Sequence, residues 1–234
     1  MNKKIVIATP FYEVKAYSPY ITSLIDSIRA LHMAEIAYDY YELSGDSYVD
    51  RAKNSLVHQF LESDASHILM IDSDLKWNVG GFLRIVRAGL VHGAEVVGGA
   101  YPNKNNWETF GCLPLIQDGF LIGKDFEGTR LIEMFGIPGG FILYSREAFE
   151  RARPNLNTYT NPEGVTFLEC FKCNVEKSGG RVGEDIYFQL RYREMGGKVW
   201  CEPDIDFYHF GVKGFEGNYH KHLLKTIEQN HKGA

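Results

Sequence analysis

Residues 67–77 read HILMIDSDLKW, an apolar run broken by Asp72-Ser73-Asp74 and then resumed by Leu75 and Trp77. Four consecutive apolar positions, Ile68 to Ile71, behind His67 suit a strand buried on both faces of a parallel sheet. In an open α/β sheet, ligands bind beyond the carboxyl ends of the strands, which is where Asp72 and Asp74 fall. Residues two apart share a face, so both carboxylates turn toward one point across Ser73. Two such charges repel unless a cation neutralises them, and hard oxygen donors select Mg²⁺ or Mn²⁺. The plainer reading is that Asp72 caps a turn and Asp74 is solvated, but the apolar flank of Leu75 and Trp77 is a poor setting for idle surface charge.

The same alternation extends on both sides. Residues 4–8 (KIVIA) form a short buried strand that ends at Thr9-Pro10. Ser18-Pro19 offers an N-cap and an N1 proline to a helix whose apolar residues Ile21, Leu24, Ile25, Ile28 and Leu31 face a sheet. Residues 38–43 read as a second strand. Asp50 is placed to cap a helix with Ala52, Leu56, Val57, Phe60 and Leu61 on its apolar side. A helix over 80–91 and a strand over 95–99 follow, so the first hundred residues are predicted to be a Rossmann-like α/β half.

Beyond Tyr101 the pattern shifts to short strands over 113–116, 120–122, 131–134 and 141–144, giving a mixed or antiparallel second half. Residues 153–183 are polar and long for a connection, which predicts a mobile or lid-like loop. A helix over 184–195, a strand over 198–201 and a helix from about 219 to 229 complete the chain.

At 234 residues the chain is expected to form a single domain: a nucleotide-binding half over 1–104, an acceptor and catalytic half over 105–215 and a C-terminal helix over 216–234. The net charge of −5 provides no broad footprint for nucleic acid and argues against a nucleic-acid acceptor, leaving only a local basic patch as a route to one. The apolar run before Pro10 is too short for a signal core or a membrane span. No transmembrane segment and a cytoplasmic location are therefore expected, the host cytoplasm if the source is viral. Cys112, Cys170, Cys173 and Cys201 are read as reduced thiols, and Cys170-Phe171-Lys172-Cys173 lacks the second pair that a zinc site needs.

The strand followed by Asp72-Ser73-Asp74 resembles the DxD motif of nucleotide-sugar glycosyltransferases of the GT-A fold, in particular the family 2-like enzymes. Residues 183–200 (GEDIYFQLRYREMGGKVW) resemble the same family's GED segment over nearly twenty residues, and residues 203–211 (PDIDFYHFG) resemble the segment that ends in a metal-binding histidine. The resemblance implies an α/β GT-A single domain with a central mixed, mostly parallel sheet flanked by helices. It implies Asp185 as general base and Glu184 as the group orienting the acceptor. A helix N-terminus would keep that base ionised at low pKa. Asp74, His209 and Asp72 would serve the metal, Mn²⁺ rather than Mg²⁺ because of the imidazole. In that set Asp74 binds the ion directly, and Asp72 serves the ribose or a metal-bound water.

Thr9, Pro10, Tyr12, Arg51, Asn54, Asp72, Ser73 and Asp74 would form the donor pocket, whereas Lys53 reads as a surface residue. The glycines of Gly98-Gly99 and Ile137-Pro138-Gly139-Gly140-Phe141 would let donor and acceptor approach the backbone. Trp77 and Trp107 are possible sugar platforms, with packing the plainer role. The implied activity is inverting transfer from a nucleotide-diphosphate sugar, with UDP favoured, to a hydroxyl acceptor such as a glycan. A nucleotidyltransferase is the alternative enzyme, though residues 8–12 lack its glycine-rich basic phosphate loop. A nucleotide-sugar-binding protein without catalysis is the other, and it leaves Glu184 and Asp185 without a task.

Overall fold

The computed structural model describes residues 3–104, 108–118, 120–124, 126, 129–176, 178–211 and 214–232. Its first half alternates as the periodicity predicts: β1 (Ile5–Phe11), α1 (Ser18–Met33), β2 (Tyr38–Ser44), α2 (Val49–Glu62), β3 (His67–Ile71), β4 (Leu75–Trp77), α3 (Val79–Leu90) and β5 (Val96–Gly99). The second half is finer-grained. It holds β6 (Leu113–Pro114), β7 (Ile116–Gln117), β8 (Phe120–Leu121), β9 (Ile132–Gly136), β10 (Phe141–Ser145) and α4 (Arg146–Ala152). Then follow β11 (Thr158–Thr160), β12 (Thr166–Leu168), β13 (Asn174–Val175), β14 (Arg181–Val182), α5 (Glu184–Glu194), β15 (Val199–Glu202), β16 (Phe207–Phe210), β17 (Gly214–Gly217) and α6 (Tyr219–Lys232).

The main sheet has eight strands in the order β2-β1-β3-β10-β5-β15-β9-β6. β1 pairs in parallel with β2 and β3, and β5 with β15. β10 enters antiparallel between β3 and β5, and β9 lies antiparallel to β15 and β6. The sheet is therefore mixed, and the parallel run expected from the first hundred residues is interrupted by a strand that arrives from the second half.

Both faces are covered, which is why β1 and β3 read as unbroken apolar runs. Val6, Ala8, Ile68 and Met70 pack with Leu56, Val57 and Phe60 of α2, Phe149 of α4 and Phe188 of α5. Ile5, Ile7, Leu69 and Ile71 face Tyr20, Leu24 and Leu31 of α1 and Phe82, Ile85 and Val86 of α3. Among the described residues no helix is long and apolar enough to cross a membrane.

Several local expectations are corrected. α1 buries Tyr20, Ser23, Leu24, Ser27 and Leu31, leaving Ile21 and Ile25 partly exposed, because polar Ser23 and Ser27 turn inward to bond β4 and Trp77. Ser18 does not cap that helix; it lies inside the first turn after Tyr17. Asp50 likewise lies inside α2, which begins one residue earlier. Residues 153–183 are no bare loop: they form the hairpins β11–β12 and β13–β14, and Leu168, Cys170 and Phe171 anchor the segment in the core. The four cysteines are free thiols.

Candidate active site

The site is assembled where β1, β3 and the turn before β10 end. Asp72 follows the last residue of β3, and its N–H donates to the Gly140 carbonyl at 2.8 Å. The chain turns through Ser73 and Asp74 and re-enters the core as β4, whose Leu75 and Trp77 are buried. β4 pairs antiparallel with β16, setting His209 opposite Leu75, while the Phe210 N–H donates to the Asp74 carbonyl at 2.8 Å. This ladder brings a histidine more than a hundred residues distant beside the second carboxylate.

His209 Nε2 lies 3.6 Å from Asp74 Oδ1. Its Nδ1 faces the Pro102 carbonyl at 2.8 Å, which puts the proton on Nδ1 and turns the Nε2 lone pair toward Asp74. Burial holds the imidazole pKa below its ordinary value, against the raising effect of that carbonyl. Asp74 Oδ1 is itself buried without a hydrogen-bond partner, and its other oxygen pairs with the Lys104 ammonium. A neutral imidazole and an unpartnered carboxylate oxygen side by side form a donor set that fits a divalent cation. Among the described residues no trio of His, Cys, Asp and Glu could hold an ion, so Asp72 is not joined to Asp74 and His209 as a third ligand. It leans the other way, toward Lys53.

Lys53 is the residue that sequence reasoning misjudged. Its side chain is 2% exposed, and its Nζ lies 3.3 Å from Glu184 Oε1 and 3.7 Å from Asp72 Oδ1. Burial alone would push the ammonium pKa down, but Asp72, Glu184 and Asp185 outweigh it and hold the value above that of an ordinary lysine. A signal was present. Position 53 precedes Leu56, Val57 and Phe60 by three, four and seven residues, which puts this lysine on the core face of an amphipathic helix.

Glu184 and Asp185 open α5 after Gly183. Asp185 Oδ2 accepts from the Gly139 N–H at 3.1 Å and Oδ1 from the Ile186 N–H at 2.8 Å. One helical turn on, Gln189 accepts from the Ile137 N–H at 2.8 Å and donates to the Ile137 carbonyl at 2.6 Å. Residues 137–140 are thus bolted to α5. A β-carbon on Gly139 would fall 2.5 Å from Asp185 Cβ, and one on Gly140 2.5 Å from Asp72 Oδ2. The two glycines let a carboxylate from each side of the site close on adjacent residues. The low pKa expected for Asp185 is overturned: burial raises it and Glu184 adds to the rise, against Lys53 and the two backbone amides.

Pro10, Phe11, Tyr12, Asp46, Val49, Ala52, Asp72, Ser73 and Asp74 line a cleft of about 140 Å³, and Tyr12, Ser73 and Asp74 also border a neighbouring cavity of about 370 Å³. Other expected donor residues are engaged elsewhere. Thr9 is fully buried, its hydroxyl 2.5 Å from that of Tyr20. Arg51 differs: it pairs at 2.7 Å with Asp46, which itself lines the cleft, and so is tied to the cleft wall although outside the acidic cluster. Asn54 is buried and exchanges two hydrogen bonds with the backbone of Phe171, so its amide fastens the segment before β13. Gly98 and Gly99 make room for Ile137, the Phe141 carbonyl and Phe207 rather than for a ligand. Trp77 packs in the core with its indole N–H on Ser27, and Trp107 lies outside the described residues.

No protein-family model and no curated protein matches the chain. Among solved structures, A197 from STIV is similar at 20% identity with a TM-score of 0.55, over 89% of this chain and 86% of that one. The chain shares its fold with that protein. A Drosophila β-1,4-galactosyltransferase 7 mutant in complex with manganese, UDP-Gal and xylobiose is similar at 17% identity and a TM-score of 0.44, over 93% of this chain and 70% of that one. GalNAc-T7 with UDP, GalNAc and Mn²⁺ is similar at 10% and 0.47, over 85% and 41%. At 20% identity the likeness to A197 concerns the fold, which by itself fixes no activity.

Proposed function

We propose that this chain is a divalent-cation-dependent glycosyltransferase of the GT-A type that moves a sugar from a nucleoside-diphosphate donor, with UDP the favoured nucleoside diphosphate, to the hydroxyl of an acceptor such as a glycan. One observation carries the reading: the Asp74–His209 pair and the half-buried base Asp185 lie in one cluster, joined through Asp72, Lys53 and the adjacent glycines Gly139 and Gly140.

Asp74 and His209 would hold the cation, with donor oxygens and water completing its shell; when bound, it neutralises the negative charge that builds on the departing diphosphate. The histidine favours Mn²⁺ over Mg²⁺. Asp72, Asp74, Glu184 and Asp185 set four carboxylates against the ammonium groups of Lys53 and Lys104, an excess of negative charge that suits a divalent ion. Tyr12 and Ser73 line the cleft beside Asp74, where the nucleotide would lie.

Asp185 takes the proton from the acceptor hydroxyl as that oxygen attacks the anomeric carbon. Its backbone bonds from Gly139 and Ile186 hold it in place, and its raised pKa makes it the stronger base once ionised. Asp72 and Glu184 face Lys53 and Asp74 faces His209 at the cation site, so Asp185 is the carboxylate assigned as base and none is assigned as nucleophile. A single base without a covalent intermediate would invert the anomeric carbon.

The test is Mn²⁺ binding followed by electron paramagnetic resonance, with and without UDP. The wild type should bind Mn²⁺ weakly alone and more tightly with UDP, and Asp74→Asn should abolish the enhancement. Equal binding by wild type and variant in both conditions would overturn the assignment.

A further inference from the structure

Among the described residues no other lysine or arginine is buried as Lys53 is. An ammonium removed from water stays charged only beside carboxylates, and replacing such a group by an apolar one of similar volume often leaves stability unchanged or higher. A charge kept here needs a reason beyond holding the fold. Lys53 draws its partners from two separate elements, Asp72 after β3 and Glu184 at the start of α5. Of its three donors the hydrogen bond to Glu184 takes one. Facing the others is Asp72 Oδ1, a buried oxygen without a hydrogen-bond partner.

We propose that Lys53 is a positioning residue whose ammonium ties the donor-side carboxylate Asp72 to the acceptor-side Glu184, and thereby fixes where Asp185 stands relative to the bound donor. The inference rests on the transferase reading above and assigns it a residue outside both motifs. Asp185 is held against the wall, its Oδ2 accepting from the Gly139 N–H at 3.1 Å, with no room for even a β-carbon between the two residues. It is held from the other side by the helix end that Lys53 anchors through Glu184. The titratable groups facing Asp185 are Glu184 on its own helix, Lys53 on α2, Tyr101 after β5 and Tyr144 on β10, with the Gly139 and Ile186 amides adding their dipoles. Removing Lys53 therefore loosens the start of α5 and leaves Glu184 to oppose ionisation of Asp185 without a counter-charge.

The experiment uses the full chain as Lys53→Met and Lys53→Arg, with two readouts. In ¹³C carboxyl NMR without metal or donor, the Asp185 resonance, identified by its absence in Asp185→Asn, should titrate at higher pH in Lys53→Met and return toward the wild-type midpoint in Lys53→Arg. In steady-state transfer, kcat of Lys53→Met should fall about 100-fold, the scale of a misplacement near 1 Å, with the donor KM within about threefold of wild type. Lys53→Arg should recover most of kcat. An unchanged Asp185 midpoint in Lys53→Met overturns the proposal, as does an equal loss of kcat in both variants. If Lys53→Met does not fold, Lys53→Gln takes its place under the same two criteria. A wild type that transfers no sugar defeats the transferase reading, while the carboxyl titration still decides the role of Lys53.

Discussion

Replacing Gly139 by alanine strikes the proposed base without touching the proposed metal ligands. The added methyl would sit 2.5 Å from Asp185 Cβ and 3.4 Å from its Cα, whereas ordinary contact begins near 3.4 Å. Asp185 or the 137–140 wall must therefore yield by about 1 Å, a displacement that can cost about 100-fold in rate when it separates reacting groups. The overpacking also costs about 1–3 kcal/mol of stability. The adjacent Gly140→Ala is the matched control: its methyl meets the Tyr101 hydroxyl, whose ring packs on His209, and Asp72 Oδ2 at 2.5 Å, both on the donor side. Initial rates at varied donor and acceptor should then show Gly139→Ala losing kcat with the donor KM nearly unchanged, and Gly140→Ala raising the donor KM. Urea unfolding of both variants separates lost stability from lost rate. If Gly139→Ala keeps kcat within a factor of two while remaining folded, or if the two variants fail in the same kinetic parameter, the placement of base and donor on neighbouring residues is wrong.

Asp185→Asn should abolish transfer while leaving UDP affinity intact, and residual transfer would place the base elsewhere. The raised pKa of Asp185 means that its contribution to stability is fully present below pH 3.8 and lost as pH rises through the folded value. The same variant should therefore be more stable than wild type at neutral pH and not at pH 3.5, as read by urea unfolding. His67 is buried and pushed down to about 4 from 6.5, chiefly by burial. Its contribution is present above pH 6.5 and lost as pH falls through 4, roughly 3 kcal/mol in all; His67→Gln should flatten that acid limb, and a parallel curve would refute it. Asn54→Ala orphans the Phe171 N–H and carbonyl, so unfolding free energy should drop by about 1–3 kcal/mol per group with UDP affinity unchanged. A loss of UDP affinity without loss of stability would instead return Asn54 to the donor pocket.

The strands and helices of the first hundred residues were legible because a sheet covered on both faces writes itself as apolar runs, and amphipathic helices as a 3.6 period. β10 was legible as a strand but not as the antiparallel neighbour of β3, since pairing partners are set by tertiary packing and leave no local mark. The 153–183 segment looked structureless because its anchors, Leu168, Cys170 and Phe171, are few and scattered among polar residues. At the site, Asp74 and His209 were identified by motif and come together across β4 and β16. Thr9 and Asn54 fell on the right elements, but their side chains turn to Tyr20 and Phe171, whereas Arg51 pairs with the cleft residue Asp46. Adjacency in sequence does not say which way a side chain points. Lys53 was misread for the opposite reason: its charge suggested water, while its place in the helical period pointed inward.

The most direct test of the account is turnover. Incubating the protein with Mn²⁺ and each of a panel of nucleotide sugars, and measuring release of free nucleoside diphosphate, should reveal slow metal-dependent hydrolysis of one donor, a UDP-sugar, that EDTA stops and Asp74→Asn eliminates. No release and no thermal shift with any donor in the panel would contradict the account.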